Sequence, residues 1–227
     1  MQPQNKGKTL WEMLMDRLHA GGNGSGIPFA NPLDLRVGSA VRVPFANGPE
    51  FNDIDFTVGE IREYTRQIDA QAFQFTDYVL AGVNTKSFDA DQMVKARLRV
   101  VPNTAGAHDS VLLRLYDEFA FAQDFLDLVK DDTDVFEIAG DQPGNKETYT
   151  RINDLRVSYQ AAVMVIAGTT PDGKAAPGKA APAKLEYWDY WRDSDLGGGH
   201  TAKEFVFVEM NSDTGWFQLW RGREFFE

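Results

Sequence analysis

Alternation of apolar and polar residues with a period of two runs through most of this chain and predicts strands. Phe56 and Val58, with Tyr64 further on, stand against polar neighbours in Asp55–Tyr64. Phe73–Leu80 repeats the pattern, and 65–70 reads as the hairpin connection between the two. Leu35–Val43, Arg97–Val101, Ser110–Tyr116 and Val135–Ile138 are further strand candidates. Ala161–Ala167 is apolar without a break, as in a strand buried on both faces. The last strands are Leu185–Arg192, Glu204–Met210 and Trp216–Arg221. Asn211–Gly215 joins the final pair with strong turn chemistry, since Asn and Asp tolerate left-handed backbone and Gly supplies positive φ. Short β-rich runs separated by turn residues predict a mainly β (β-rich α+β) fold, an antiparallel sandwich or barrel-like sheet.

Two stretches change period. Thr9-Leu-Trp-Glu12 matches a capping box, and Leu10, Trp11, Leu14, Met15 and Leu18 fall on one helical face. This short N-terminal amphipathic helix ends at the glycine-rich run 21–26, which reads as a tether. A helix of this length is marginal alone and must bury its stripe, on its own domain or on a partner. One interior helix is expected over Phe119–Val129, closed by Asp131–Asp134. The organisation is then 1–26 as helix and linker, and 27–227 as a single β-rich domain. Residues 169–183, rich in Pro, Gly, Ala and Lys, form a flexible surface loop within it.

Composition narrows the function classes. Of 227 residues, 43% are hydrophobic, enough for a sizeable core. The formal net charge of -11 repels phosphate backbones and anionic headgroups, so nucleic-acid binding is not expected. The chain has no cysteine, which removes disulfides, thiolate nucleophiles and Cys-based metal centres. No apolar run is long enough for a signal peptide or a membrane span, so no direct membrane insertion is expected and a cytoplasmic location is the default.

No nucleotide-binding, serine-hydrolase or zinc-protease motif occurs, and no catalytic residue, metal ligand or cofactor is assigned. His19 ends the first helix, while His108 and His200 read as exposed loop residues. Asp131–Asp134 lacks the spacing of a calcium loop, Asn211–Gly215 is explained by its turn, and Asp193, Asp195 and His200 form only a weak metal arrangement. The feature that asks for explanation is Lys184–Arg192, KLEYWDYWR. An extended chain puts Tyr187, Asp189 and Trp191 on one face and Trp188 and Tyr190 on the other. Both faces carry large rings, so the segment either staples two layers together or leaves one face as a binding platform.

Phe56–Tyr64, Phe75–Leu80, Glu186–Tyr190 and Phe217–Glu224 together resemble an uncharacterised bacterial domain family with EYLL-type and YWDY-type strand motifs. Asn31–Val41 also resembles the YjfK-like proteins. The resemblance runs from about residue 31 to the end, weakest in the middle third, and supplies no catalytic set. It implies a setting beside PspA-like membrane-stress proteins, small membrane proteins and ion channels. The functional expectation is a non-enzymatic soluble adaptor that binds another protein or a second copy of itself, with Trp11, Leu14 and Leu18 at the contact. The alternative is a small-molecule or carbohydrate binder, extending to a hydrolase, that stacks its ligand on Tyr187, Trp188, Tyr190 or Trp191. For such a binder, the acidity makes cationic small molecules the first ligands to consider.

Overall fold

The structure is a computed structural model that describes residues 35–42, 51, 54–68, 71–84, 93–102, 108–130, 134–140, 144–152, 160–169, 175–177, 182–197 and 200–225. Its strands are β1 (Ala40–Arg42), β2 (Ile54–Ile68), β3 (Gln71–Asn84), β4 (Met93–Pro102), β5 (His108–Phe119), β6 (Val135–Ala139), β7 (Lys146–Arg151), β8 (Gln160–Thr169), β9 (Ala175–Pro177), β10 (Ala183–Gly197), β11 (His200–Asn211) and β12 (Phe217–Phe225). The single described helix, α1, spans Gln123–Lys130. Eight strands close into an antiparallel barrel in the order β2-β3-β4-β5-β12-β11-β10-β8, with β8 returning to β2. The chain climbs through four neighbours, β2 to β5, and crosses to the far side as α1, β6 and β7. It then comes back through β8, β10, β11 and β12 to meet β5. The mainly β, barrel-like expectation therefore holds.

Closure gives the sheet an inside and an outside, and both are covered over much of their area. On the outside of β2 to β5, Phe56, Val58, Ile61, Tyr78, Leu80, Leu98 and Val100 pack under Leu35, Val41 and Phe51. On the outside of β10 to β12, Trp188, Tyr190, Val206, Val208, Phe217 and Leu219 pack under Val129 of α1 and Phe136, Ile138 and Tyr149 of the β6–β7 hairpin. Burying two such faces supplies the hydrophobic drive that a half-exposed sheet lacks. α1 is too short to stand alone. Val129 is fully buried, and the Arg151 side chain donates to the Val129 carbonyl at 2.6 Å, satisfying one of the orphan acceptors at the helix end.

Several expectations are corrected. β2 runs on through Thr65–Ile68, where a hairpin connection is expected, and pairs in register with β3 down to Ile68↔Gln71. A bulge at Gly59 shifts the alternation, so Phe56 and Val58 face out while Tyr64 faces in. Leu35–Ser39 is not strand: β1 is confined to three residues after a turn in which Gly38 has φ +88°. The helix begins at Gln123, because Phe119 still belongs to β5. β8 is not buried on both sides; Met164 and Ile166 on its outer face are exposed. His108 and His200 open strands β5 and β11 rather than sitting in loops. Within 169–183, Ala175–Pro177 pairs with the end of β8 as β9. The N-terminal helix, its linker, His19, and Asp131–Thr133 of the helix-closing segment lie outside the described residues. No described helix is long and apolar enough to cross a membrane.

Candidate functional site

The barrel interior divides along its axis. Toward the end away from the β11–β12 turn, it is filled by rings and charges. Arg97 Nη1 donates to the Tyr64 hydroxyl at 2.9 Å and to Glu209 at 2.6 Å, and its Nη2 donates to Gln218 at 2.8 Å. Arg99 grips Asp77 with two bonds of 2.9 Å and reaches Glu209 at 3.1 Å. Deeper still, β8 stops pairing with β10 at Gln160, and there Arg66 of β2 forms an ion pair with Asp189 of β10. Three guanidinium groups thus face three carboxylates.

Each of those cations also lies over aromatic rings. The guanidinium carbon is 3.7 Å from the Tyr187 ring centre for Arg66 and 3.7 Å from that of Trp220 for Arg97. Arg99 sits 4.4 Å from the ring centre of Phe75 and 4.7 Å from that of Phe207. Ring faces stabilise buried guanidinium groups where water cannot. Burial alone would push the Glu209 carboxyl up. Arg97 and Arg99 outweigh it and hold it down at about 2. Burial pushes the Tyr64 phenol up to about 12, so it stays a neutral hydroxyl.

Above Arg97 the barrel is open. A cavity of about 390 Å³ lies at the end that carries the β11–β12 turn, within the range of small-molecule sites. Its floor is Arg97, Glu209 and Gln218; one wall is apolar, with Val163 and Val165 of β8 and Ala183 and Leu185 of β10. The charged part of the lining is Glu60 and Arg62 of β2, the strand next to β8, with Arg62 directly across from Val165, and Glu118 of β5. Glu60 and Arg62 pair with each other, and Glu118 accepts from Gln218 Nε2 at 2.6 Å and lies 3.4 Å from Lys95 Nζ. Asn211, Thr214 and Trp216 form the rim, and Trp216 is half exposed. The Asn211 side chain holds this turn by accepting from the amides of Asp213 and Thr214 at 2.9 and 3.0 Å, and Gly215 takes φ +70°. Arg97 Nε is buried and has no acceptor among the described residues.

None of the four rings in Lys184–Arg192 lines this cavity. The parity read from sequence is the parity observed, with Tyr187 and Asp189 inside the barrel and Trp188 and Tyr190 outside. Tyr187, Trp188 and Tyr190 are buried, under Arg66, under α1 and under the β6–β7 hairpin. Trp191 is half-buried near Lys203. Trp11, Leu14 and Leu18 lie outside the described residues. Among the described residues no three His, Asp or Glu side chains cluster as metal ligands. Sequence reading missed the interior charges. Arg97 and Arg99 alternate with buried Leu98 and Val100, a pattern that by itself suggests a solvated polar face. The available signal was two strands, β10 and β11, with bulky residues at both parities, which leaves no face of the sheet free for solvent.

A family search, a search of curated proteins and a search of solved structures each return no match to this chain.

Proposed function

We propose that this barrel binds a small ligand, a compact amphipathic molecule with an acceptor oxygen at its inner end, a positive charge nearer the rim and one apolar flank. The observation that carries this reading is the 390 Å³ cavity over Arg97. Arg97 Nε, without an acceptor among the described residues, is a buried donor that an acceptor oxygen would satisfy. Each lining carboxylate has a cation beside it, Glu60 with Arg62, Glu118 with Lys95 and Glu209 with Arg97 and Arg99, so the preference for a cationic group rests on the net charge of -11. Val163, Val165, Ala183 and Leu185 take the apolar flank. The adaptor expectation places its contact on Trp11, Leu14 and Leu18, outside the described part, whereas the cavity belongs to the described barrel.

The test is a thermal-shift screen over free amino acids, betaines and polyamines, followed by calorimetric titration of any ligand found. Ala183→Phe places a ring in the cavity from a half-buried position at its wall and should abolish the shift while leaving the barrel folded. Silence across these three chemical classes, or equal binding by Ala183→Phe, overturns the reading.

A further inference from the structure

A second arginine cluster lies on the outside of the barrel, where β10, β11, β12 and β5 run side by side. Glu204 is buried and accepts from Arg192 Nε and Nη2 at 2.8 and 2.6 Å and from Arg221 Nε at 2.7 Å. Glu147 of β7 covers the same pair, 2.9 Å from Arg192 and 2.7 Å from Arg221. Burial would push the Glu204 carboxyl up, but these arginines hold it below its ordinary range. Arg192 and Arg221 therefore have carboxylate partners.

The next two cations on this face have no close carboxylate partner among the described residues. Arg223 approaches Glu204 only to 4.0 Å, and among the described residues its buried Nε has no acceptor. Arg114 of β5 stands directly opposite Arg221 of β12 and, among the described residues, makes no ion pair. Asp117, further along β5 beyond the irregularity in its pairing with β12, turns its carboxylate to the Glu118 amide at 2.8 Å. Like charges directly opposite on paired strands repel. The strands nonetheless press together here: a Cβ at Gly222 would lie 1.9 Å from the Leu112 carbonyl oxygen, so only glycine fits between Arg221 and Arg223. Among the described residues, four guanidinium groups against two carboxylates leave a local excess of positive charge on a chain whose net charge is -11.

We infer that the β5–β12 seam, through Arg114 and Arg223, is a binding site for a phosphate group, free or as a small phosphate monoester. Guanidinium forks match the spacing of oxyanion oxygens and can hold them bidentately, which a diffuse counterion cannot reproduce. The oxyanion would meet exposed Arg114 and the 20% of the Arg223 side chain that is exposed, beside the Arg114–Arg221 opposition. This site is independent of the barrel cavity, and its ligand has the opposite charge.

The test is calorimetric titration of the full chain with inorganic phosphate and, separately, glycerol phosphate, in chloride buffer. Saturable one-site binding is expected, weakened about tenfold by Arg114→Gln and by Arg223→Gln, and retained within about threefold by Arg114→Lys. Ala183→Phe, which fills the cavity, should bind phosphate as the parent does. Tighter binding of glycerol phosphate assigns the site to a monoester, and equal or weaker binding assigns it to the free anion. No saturation up to about 20 mM, unchanged affinity in both glutamine variants, or loss of binding in Arg62→Gln instead overturns the inference.

Discussion

The same strands carry two arginine–carboxylate clusters, one on each side of the barrel wall. β10 sends Asp189 inward and Arg192 outward; β11 sends Glu209 inward and Glu204 outward. Inside, Arg66, Arg97 and Arg99 meet Asp77, Asp189 and Glu209, one cation for each anion, and each cation has a ring face as well. Outside, among the described residues, Arg114, Arg192, Arg221 and Arg223 lie with the carboxylates of Glu147 and Glu204, and the side chains of Arg192, Arg221 and Arg223 remain 15–23% exposed. An unbalanced charge in the interior would carry a desolvation cost of several kcal/mol, so that cluster is neutral even where Arg97 and Glu209 line the cavity. On the outer face water offsets part of the imbalance, and an excess of charge can persist there for a ligand to use. Charge balance set against burial thus separates a neutral cluster that builds the fold and floors the cavity from one that keeps an excess of positive charge for an anion.

The largest effect should come from unbalancing the inner cluster. Glu209→Gln keeps the shape but leaves Arg97 and Arg99 short of a carboxylate in a dry environment, costing roughly 3–5 kcal/mol of stability. Urea unfolding measures it, and a loss under about 1 kcal/mol would mean that the inner charges are more hydrated than their burial indicates. Acid tests the same carboxyl without mutation. Its folded value, about 2, lies below its ordinary 4.5, so its contribution is complete above pH 4.5 and is lost as pH falls through about 2. That difference corresponds to a loss on the order of 3 kcal/mol between those limits, visible as a falling melting temperature. Glu209→Gln should flatten that acid limb.

How much of this could be read from the chain alone divides along the same lines. Strand positions were legible wherever one face is apolar, and the inside–outside parity of Tyr187 to Tyr190 followed from extended geometry. β7 was not: Lys146–Arg151 is almost wholly polar, with Glu147 buried against Arg192 and Arg221 and Tyr149 its one residue in the outer apolar core. Alternation says which residues share a face but not whether that face meets water. In a closed barrel the polar face of β4 is the interior, so Arg97 and Arg99 suggest solvation by pattern when they are buried. The cavity was out of reach for a further reason. Its lining comes from β2, β4, β5, β8, β10, β11, β12 and one turn, brought together only by the crossover after β5.

A smaller effect sharpens the comparison from the tyrosine side. Tyr64→Phe removes one hydrogen bond from Arg97 and should cost about 1 kcal/mol. It should also alter the alkaline limb. The Tyr64 phenol titrates at about 12 when folded against 10 ordinarily, so its contribution is complete below pH 10 and is lost as pH rises through about 12. Melting curves across that window should fall less steeply for the phenylalanine variant; an equal slope would assign the alkaline loss to other groups.

The smallest expected change separates the two clusters most sharply. Arg114→Gln removes a cation from a face that already has too many, so in phosphate-free buffer it should leave stability unchanged or raise it by up to about 0.5 kcal/mol. No inner arginine should behave this way, because removing Arg97 or Arg99 strands a buried carboxylate. Adding phosphate should reverse the order: the parent gains stability by mass action, and the variant, binding more weakly, gains less at the same concentration. Melting temperatures of both proteins, with and without phosphate, make a four-point measurement in which the crossing of the two lines is the signature. Parallel lines would show that Arg114 is an ordinary solvated arginine and that charge imbalance on this face carries no recognition.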